Sequence, residues 1–194
     1  SYSLTDTIYA QPAIFVIEYA LAKLWISWGI RPQAAIGHSI GEYTAAAIAN
    51  VFSLEDALEI VAMRGQLMQK CPHGSMLAVS LTESEVKSQL DKSNLSLSLS
   101  LSLTIAVINA SKMCVVSGSD DAITQLEKSL TSQEISCRRL HTSHAFHSAM
   151  MESAVEPFVN KMQQLKLNPP SLPFISNVTG TWITPEEATD PNYW

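Results

Sequence analysis

This chain is short of charge and short of cysteine, and each shortage excludes something. Asp, Glu, Lys and Arg make up 15% of its 194 residues, while apolar residues make up 46%. That balance suits a well-buried α/β domain and not a disordered or repetitive chain. With a net charge of −6, no basic excess is left to hold nucleic acid. The three cysteines, Cys71, Cys114 and Cys137, are scattered and form no C-x-x-C. They point to reduced thiols in a cytoplasmic protein and not to a disulfide scaffold. A long apolar run is missing too: the most apolar stretch, residues 12–28, is interrupted by Glu18 and Lys23, so no membrane span is expected. The N-terminus shows neither the basic region nor the apolar block of a secretory leader. The length fits one domain, or one domain with an insert.

What is present begins with G-x-S-x-G at Gly37-His38-Ser39-Ile40-Gly41. Apolar Ala34-Ala35-Ile36 precede it and a helix-prone run from Glu42 to Ala49 follows. The pattern predicts a strand turning sharply into a helix, the two glycines removing Cβ atoms that would clash. Ser39 would stand at the apex, over the positive end of the helix, with its hydroxyl placed to attack a carbonyl. The N–H of Ile40 would aim at the resulting oxyanion. The same residues also fit an ordinary strand–helix turn that happens to hold a serine.

Upstream, Gln11-Pro12 is predicted to open a helix that stops at Gly29 and Arg31-Pro32. It is apolar nearly all round and therefore expected to be heavily buried, with Gln11 at its mouth. Downstream, Ser53 caps a helix whose inward stripe is Ala57, Val61, Arg64 and Met68. An arginine on an apolar face, with no acid three or four residues away, needs an anion from elsewhere. A distant Asp or Glu of the fold could supply it, or the side chain could reach water. The third source is a carboxylate that arrives with a substrate.

From Gly74 the texture changes. Strands are predicted over 76–79, 105–108, 113–116 and 135–140, with a turn at Asn109-Ala110-Ser111. A capping box from Thr82 to Glu85 and an N-cap at Ser119 open two helices between them. The order β-α-β-β-α-β is that of a ferredoxin-like unit, read as residues 74–141 inserted into a larger α/β body of 1–73 and 142–194. Leucine and serine alternate over 95–103, which reads as low complexity: a longer edge strand or a sticky loop. After the insert comes His141-Thr142-Ser143-His144-Ala145-Phe146-His147. No Asp, Glu or Cys stands beside these histidines, so a base for Ser39 fits them better than a metal site. Ser148 then caps a helix carrying Met151, Val155, Phe158, Met162 and Leu165, and a last strand is expected over 174–177.

Six stretches occur together, in the order and spacing of acyltransferase domains. They are Gln11-Pro12-Ala13, Gly37 to Glu42, Met63-Arg64-Gly65, Ser117-Gly118, His144 to Ser148, and Ser176-Asn177-Val178-Thr179-Gly180. The chain resembles the acyltransferase domains of modular polyketide synthases, relatives of the malonyl-CoA:acyl carrier protein transacylase of fatty acid synthesis. The resemblance implies an α/β-hydrolase-like body with the ferredoxin-like insert. It implies Ser39 as nucleophile, His147 as general base, the Ile40 N–H as oxyanion donor, and Arg64 as the clamp for the free carboxylate of an extender unit. Gln11, His38, His144, Phe146 and Asn109 match positions expected to line the substrate site. His144-Ala145-Phe146-His147 resembles the variant associated with malonyl, the phenylalanine filling space that an α-methyl would need. Ile40, where methylmalonyl relatives commonly have glutamine, agrees with it.

The resemblance further implies malonyl-CoA as donor, the phosphopantetheine arm of an acyl carrier protein as acceptor, and no bound cofactor or metal. Ketosynthase and other synthase domains would be neighbours. Carrier proteins are typically acidic, so Arg138 and Arg139, next to the histidine loop, offer a basic landing place, or are merely solvated. Relatives also carry an upstream Gly-Gln-Gly loop and a downstream segment whose carbonyl orients the histidine. Neither is in this sequence, which is therefore expected to be an internal fragment of a domain. Two other functions stay open at this point: a serine hydrolase, which would need a third-member carboxylate and no Arg64, and a non-acylating structural remnant of a synthase.

Overall fold

The computed structural model describes residues 6–92 and 103–194. In chain order the elements are α1 (Thr7–Ser27), β1 (Ala35–Ile36), α2 (Gly41–Ile48), α3 (Leu54–Gln69), β2 (Ser75–Val79), α4 (Glu83–Lys92) and β3 (Leu103–Ala110). They continue with β4 (Met113–Gly118), α5 (Asp120–Ser132), β5 (Cys137–Arg139), a 3-10 turn (Ala149–Met151), α6 (Glu152–Met162), β6 (Phe174–Ile175) and α7 (Pro185–Thr189). The chain separates into two compact units: the described residues up to Leu67 with Val155–Trp194, and those of Met68–Ala154.

In the first unit β1 and β6 pair in parallel, Ala35 against Phe174 and Ile36 against Ile175. The predicted last strand is thus only two residues long; Ser176 and Asn177 leave it to form a loop. The core gathers Phe15, Tyr43, Ala46, Phe52, Ile60, Val61, Phe158, Met162 and Phe174. The first helix departs from expectation twice. It begins at Thr7 and carries Pro12 inside it, which makes Gln11 a buried helical residue, 6% exposed, and not a solvated amide at a helix mouth. Nor is it heavily buried. Only Thr7, Gln11 and Phe15 are buried, at a spacing of four, while Ile17, Leu21, Trp25 and Trp28 are exposed. Hydropathy records which side chains favour burial, not what lies against them, and no described residue covers that side of the helix. Ile36 of β1 is likewise 78% exposed. The predicted stop is found: Gly29 at φ +90° lets the Gly29 and Ile30 N–H groups donate back to Ile26 and Trp25.

The second unit is a four-stranded sheet in the order β3-β4-β2-β5, every neighbouring pair antiparallel. With α4 and α5 as its two helices, this is the ferredoxin-like order that the pattern predicts. The capping devices fall where they were read. Thr82 and Glu85 bond each other's backbone N–H groups, and Ser119 Oγ accepts from Ala122 N–H. The core is Leu77, Val79, Val86, Cys114, Val116, Ile123, Leu126 and Leu130. The strand boundaries move: β2 starts one residue earlier, β3 spans Leu103–Ala110, so the hairpin turn is Ser111-Lys112, β4 runs on to Gly118, and β5 keeps only three residues of the predicted six. The Leu/Ser alternation over 95–102 lies outside the described residues. No described helix is long and apolar enough to cross a membrane.

Candidate active site

The serine turn is built by one glycine and one asparagine. A Cβ on Gly37 would lie 2.2 Å from the backbone of Gly41, so the chain folds back here only because position 37 has no side chain. Gly41 differs: its Cβ would meet only the Glu18 carboxylate, at 3.5 Å, an ordinary contact. The expectation that both glycines relieve a clash is therefore corrected to Gly37 alone. Ser39 sits in left-handed backbone at φ 52°, which a non-glycine residue adopts at a cost of about 1–3 kcal/mol. Asn177, 138 residues away in sequence, bridges the turn. Its Oδ1 accepts the Ser39 N–H at 3.0 Å and its Nδ2 donates to the Gly37 carbonyl at 2.6 Å. The Ile40 N–H, at the N-cap of α2, has no protein acceptor among the described residues.

Behind the turn stands Glu42, 6% exposed. Its carboxyl accepts the Asn177 backbone N–H (3.2 and 3.3 Å) and a short hydrogen bond from the Tyr193 hydroxyl. Burial pushes the Glu42 carboxyl above its ordinary range, against the bonds from Tyr193 and Asn177 that pull it down. Burial and the facing Glu42 also push the Tyr193 hydroxyl up. Glu42 is the acid closest in sequence to Ser39, and its carboxyl is engaged by Tyr193 and Asn177, not by a histidine ring.

Arg64 and Gln11 come together as a preformed fork. Gly65 makes this possible: a Cβ there would lie 2.8 Å from the Thr7 carbonyl, so its absence lets the start of α1 close on α3. Gln11 Nε2 then donates to Thr7 Oγ1 at 2.5 Å, turning its amide oxygen to accept from Arg64 Nη1 at 2.6 Å. The guanidinium lies 5.5 Å above the ring of Tyr43, one helical turn beyond Ser39 on α2. Burial raises the Tyr43 hydroxyl and the neighbouring Arg64 charge opposes it. Arg64 is half-buried, and among the described residues no carboxylate pairs with it. His38 is exposed and lines a groove of about 380 Å³ along α1 and α2 with Glu18, Trp25 and Thr44. Gln11, Ser39 and Arg64 do not line that groove.

In the second unit the histidine loop is seated by small residues. A Cβ on Gly74 would meet the Gly118 carbonyl at 2.7 Å and Ala145 Cβ at 2.8 Å, which explains why Ala145 can be fully buried there. His144 is also fully buried, its ring stacked on His73 at 4.9 Å and tilted against Phe146 at 5.9 Å. It braces Phe146 from within. His147 is exposed and, like Ser39, left-handed, at φ 56°. Ser148 Oγ closes the loop by donating to the Ala145 carbonyl at 2.6 Å. Asn109 stands exposed near the end of edge strand β3. Arg139 is held by Glu127 and Thr124, which leaves Arg138 as the exposed cation of that pair. Among the described residues no group of His, Cys, Asp and Glu could hold a metal ion.

The profile of the acyl transferase domain family matches residues 2–194. The chain belongs to that family. As an acyltransferase domain it is 38% identical, over 185 residues, to a phenolphthiocerol/phthiocerol polyketide synthase polypeptide of Mycobacterium tuberculosis. That match covers 95% of this chain and 12% of the synthase polypeptide. The solved acyltransferase domain from the second module of the salinomycin polyketide synthase superposes with a TM-score of 0.89 at 40% identity, over 98% of this chain and 43% of that one. The malonyl CoA-acyl carrier protein transacylase from Burkholderia pseudomallei gives 0.87 at 30% identity, over 98% and 64%. These likenesses carry the α/β-hydrolase-like body with its ferredoxin-like subdomain. They leave the roles of single residues to the chemistry. For an acyltransferase domain, two residues matter that sequence reasoning passed over. Asn177 stands in the stretch Ser176–Gly180, to which the sequence assigns no role, and Tyr43, whose ring lies against the Arg64 guanidinium, stands unmarked in the helix-prone run from Glu42 to Ala49.

Proposed function

We propose that this acyltransferase domain loads malonyl from malonyl-CoA onto the phosphopantetheine thiol of an acyl carrier protein, through an ester on Ser39. In the first half, His147 takes the Ser39 hydroxyl proton as the oxygen attacks the thioester carbonyl. The Ile40 N–H steadies the oxyanion, the C–S bond breaks, and His147 returns its proton to the departing CoA sulfur. In the second half the phosphopantetheine thiol gives its proton to His147 and attacks the ester, and Ser39 recovers a proton as it leaves. Phe146, backed by His144, fills the space an α-methyl would need, and one methyl decides about 1–3 kcal/mol. Gln11 orients Arg64, while His38 and Asn109 complete the substrate surroundings. Polyketide synthase domains such as a ketosynthase, and the carrier protein, are the partners, in the cytoplasm; nucleic acid and membrane are not.

The observation that supports this reading best is the Arg64 guanidinium. It is held ready by a neutral amide and an aromatic ring and is given no anion among the described residues. A free carboxylate on the acyl donor fits that fork in two parallel hydrogen bonds. The deciding experiment is mass spectrometry of the Ser39 peptide after incubation with malonyl-CoA. A malonyl ester that disappears in Ser39→Ala is the expected result; an unmodified Ser39 peptide in the parent refutes the reading.

A further inference from the structure

The loop Ser176-Asn177-Val178-Thr179-Gly180 is built with more care than a connection needs. Ser176 is fully buried, and its Oγ accepts the N–H groups of Val178 and Thr179, both at 3.1 Å. Gly180, at φ +70°, donates its N–H to the Ser176 carbonyl, and Ser176 N–H bonds Thr181. The Tyr193 hydroxyl lies 2.7 Å from Ser176 Oγ and donates to Glu42. All of this fixes one backbone unit, and the side chain it presents is Asn177.

That side chain is the bridge across the serine turn. A primary amide offers an acceptor and a donor side by side, and here they meet the Ser39 N–H and the Gly37 carbonyl. We propose that Asn177 is a positioning residue for acyl transfer. By closing the turn around Gly37 and Ser39 it holds Ser39 in left-handed backbone and leaves the Ile40 N–H to the oxyanion. Glu42 anchors it from behind. A substitution at 177 should therefore act on the geometry of attack and not on the grip on the acyl donor. This rests on the reading of Ser39 as the acylated residue.

The test is rapid-quench mass spectrometry of the Ser39 peptide in the native polypeptide, with malonyl-CoA varied. For Asn177→Ala the maximal rate of Ser39 acylation should fall about 100-fold, the scale of a misplaced reacting group, with the half-saturating malonyl-CoA concentration within about twofold of the parent. Asn177→Asp adds a signature that a merely structural role would not give. Its carboxylate can accept from Ser39 N–H but repels the Gly37 carbonyl, whereas a proton restores the missing donor. Its rate relative to the parent should thus rise as pH falls from 7 to 4.5, into the range where a carboxyl takes up its proton, each rate being corrected for the titration of that protein's own general base. A folded Asn177→Ala that acylates at the parent rate, or an Asn177→Asp ratio that stays flat with pH, overturns the inference while the acyl-serine reading stands. Should the alanine variant fail to fold by circular dichroism, the aspartate ratio decides alone. A parent that never acylates Ser39 removes both.

Discussion

Arg64→Ala is the perturbation that separates a dicarboxylic acyl donor from any other. The structure sets the scale. Two charge-assisted hydrogen bonds to a carboxylate are worth about 1.5–3 kcal/mol each when well shielded. Arg64 is half-buried, and partial exposure to water takes the pair well below the sum of two such bonds, to about 2–3 kcal/mol. That corresponds to roughly a 30- to 150-fold loss in kcat/KM for malonyl-CoA. Acetyl-CoA carries no free carboxylate, so its loading should hold or rise. Arg64→Lys keeps the charge and loses the fork, and should fall between parent and alanine. The assay is the rate of acyl-ester formation on Ser39 with each donor, followed by peptide mass spectrometry. Some stability also goes: the contact with Tyr43 is worth about 0.5–1 kcal/mol, which a thermal melt would register separately. Equal losses for malonyl and acetyl would mean a damaged fold. Unchanged malonyl loading would refute the clamp outright.

Two further outcomes come from the same unit. Gly37→Ala should cost about 3 kcal/mol or more of stability, because its Cβ would sit 2.2 Å from Gly41 backbone, while Gly41→Ala should be neutral or slightly stabilising. Urea unfolding midpoints compare them, and equal costs would contradict the turn described above. Glu42 gives the unit a pH signature. Its folded carboxyl holds a proton more tightly than the unfolded one, so its contribution is complete below the ordinary carboxylate range and is lost as pH rises through the raised value. Between pH 4.5 and 7, Glu42→Gln should therefore lose less stability than the parent, and identical pH profiles would sink the assignment.

What the sequence made legible was local. The serine turn could be read because strand, glycine and helix lie within a dozen residues. The ferredoxin-like order could be read because period-two runs and side-chain caps announce themselves one element at a time. What stayed hidden depends on distant partners. Gln11 and Arg64 meet across 53 residues, and only the missing side chain of Gly65 lets them do so. The burial of α1 is hidden for the same reason, since an apolar helix keeps its tryptophans exposed on the side where no described residue lies against it. Pro12 misled as well: read as a helix opener, it lies in the sixth position of a helix that starts at Thr7.

The deepest hidden feature is a conformation. Among the described residues, four non-glycine residues adopt positive φ, and two of them are Ser39 and His147. A strained backbone persists only where its surroundings over-determine it. Each of these turns is closed by a hydrogen bond from a side chain to a backbone carbonyl: Asn177 to Gly37 for the serine, Ser148 to Ala145 for the histidine. Each also rests on a glycine without which the chain could not approach, Gly37 in one unit and Gly74 in the other. Glycines and small polar residues that look like spacers around Ser39 and around His147 are thus what hold each of these backbone turns, the one in the first unit and the other in the second. Removing the Ser148 hydroxyl should therefore weaken His147 as Asn177→Ala weakens Ser39, through the backbone and without touching a reacting atom.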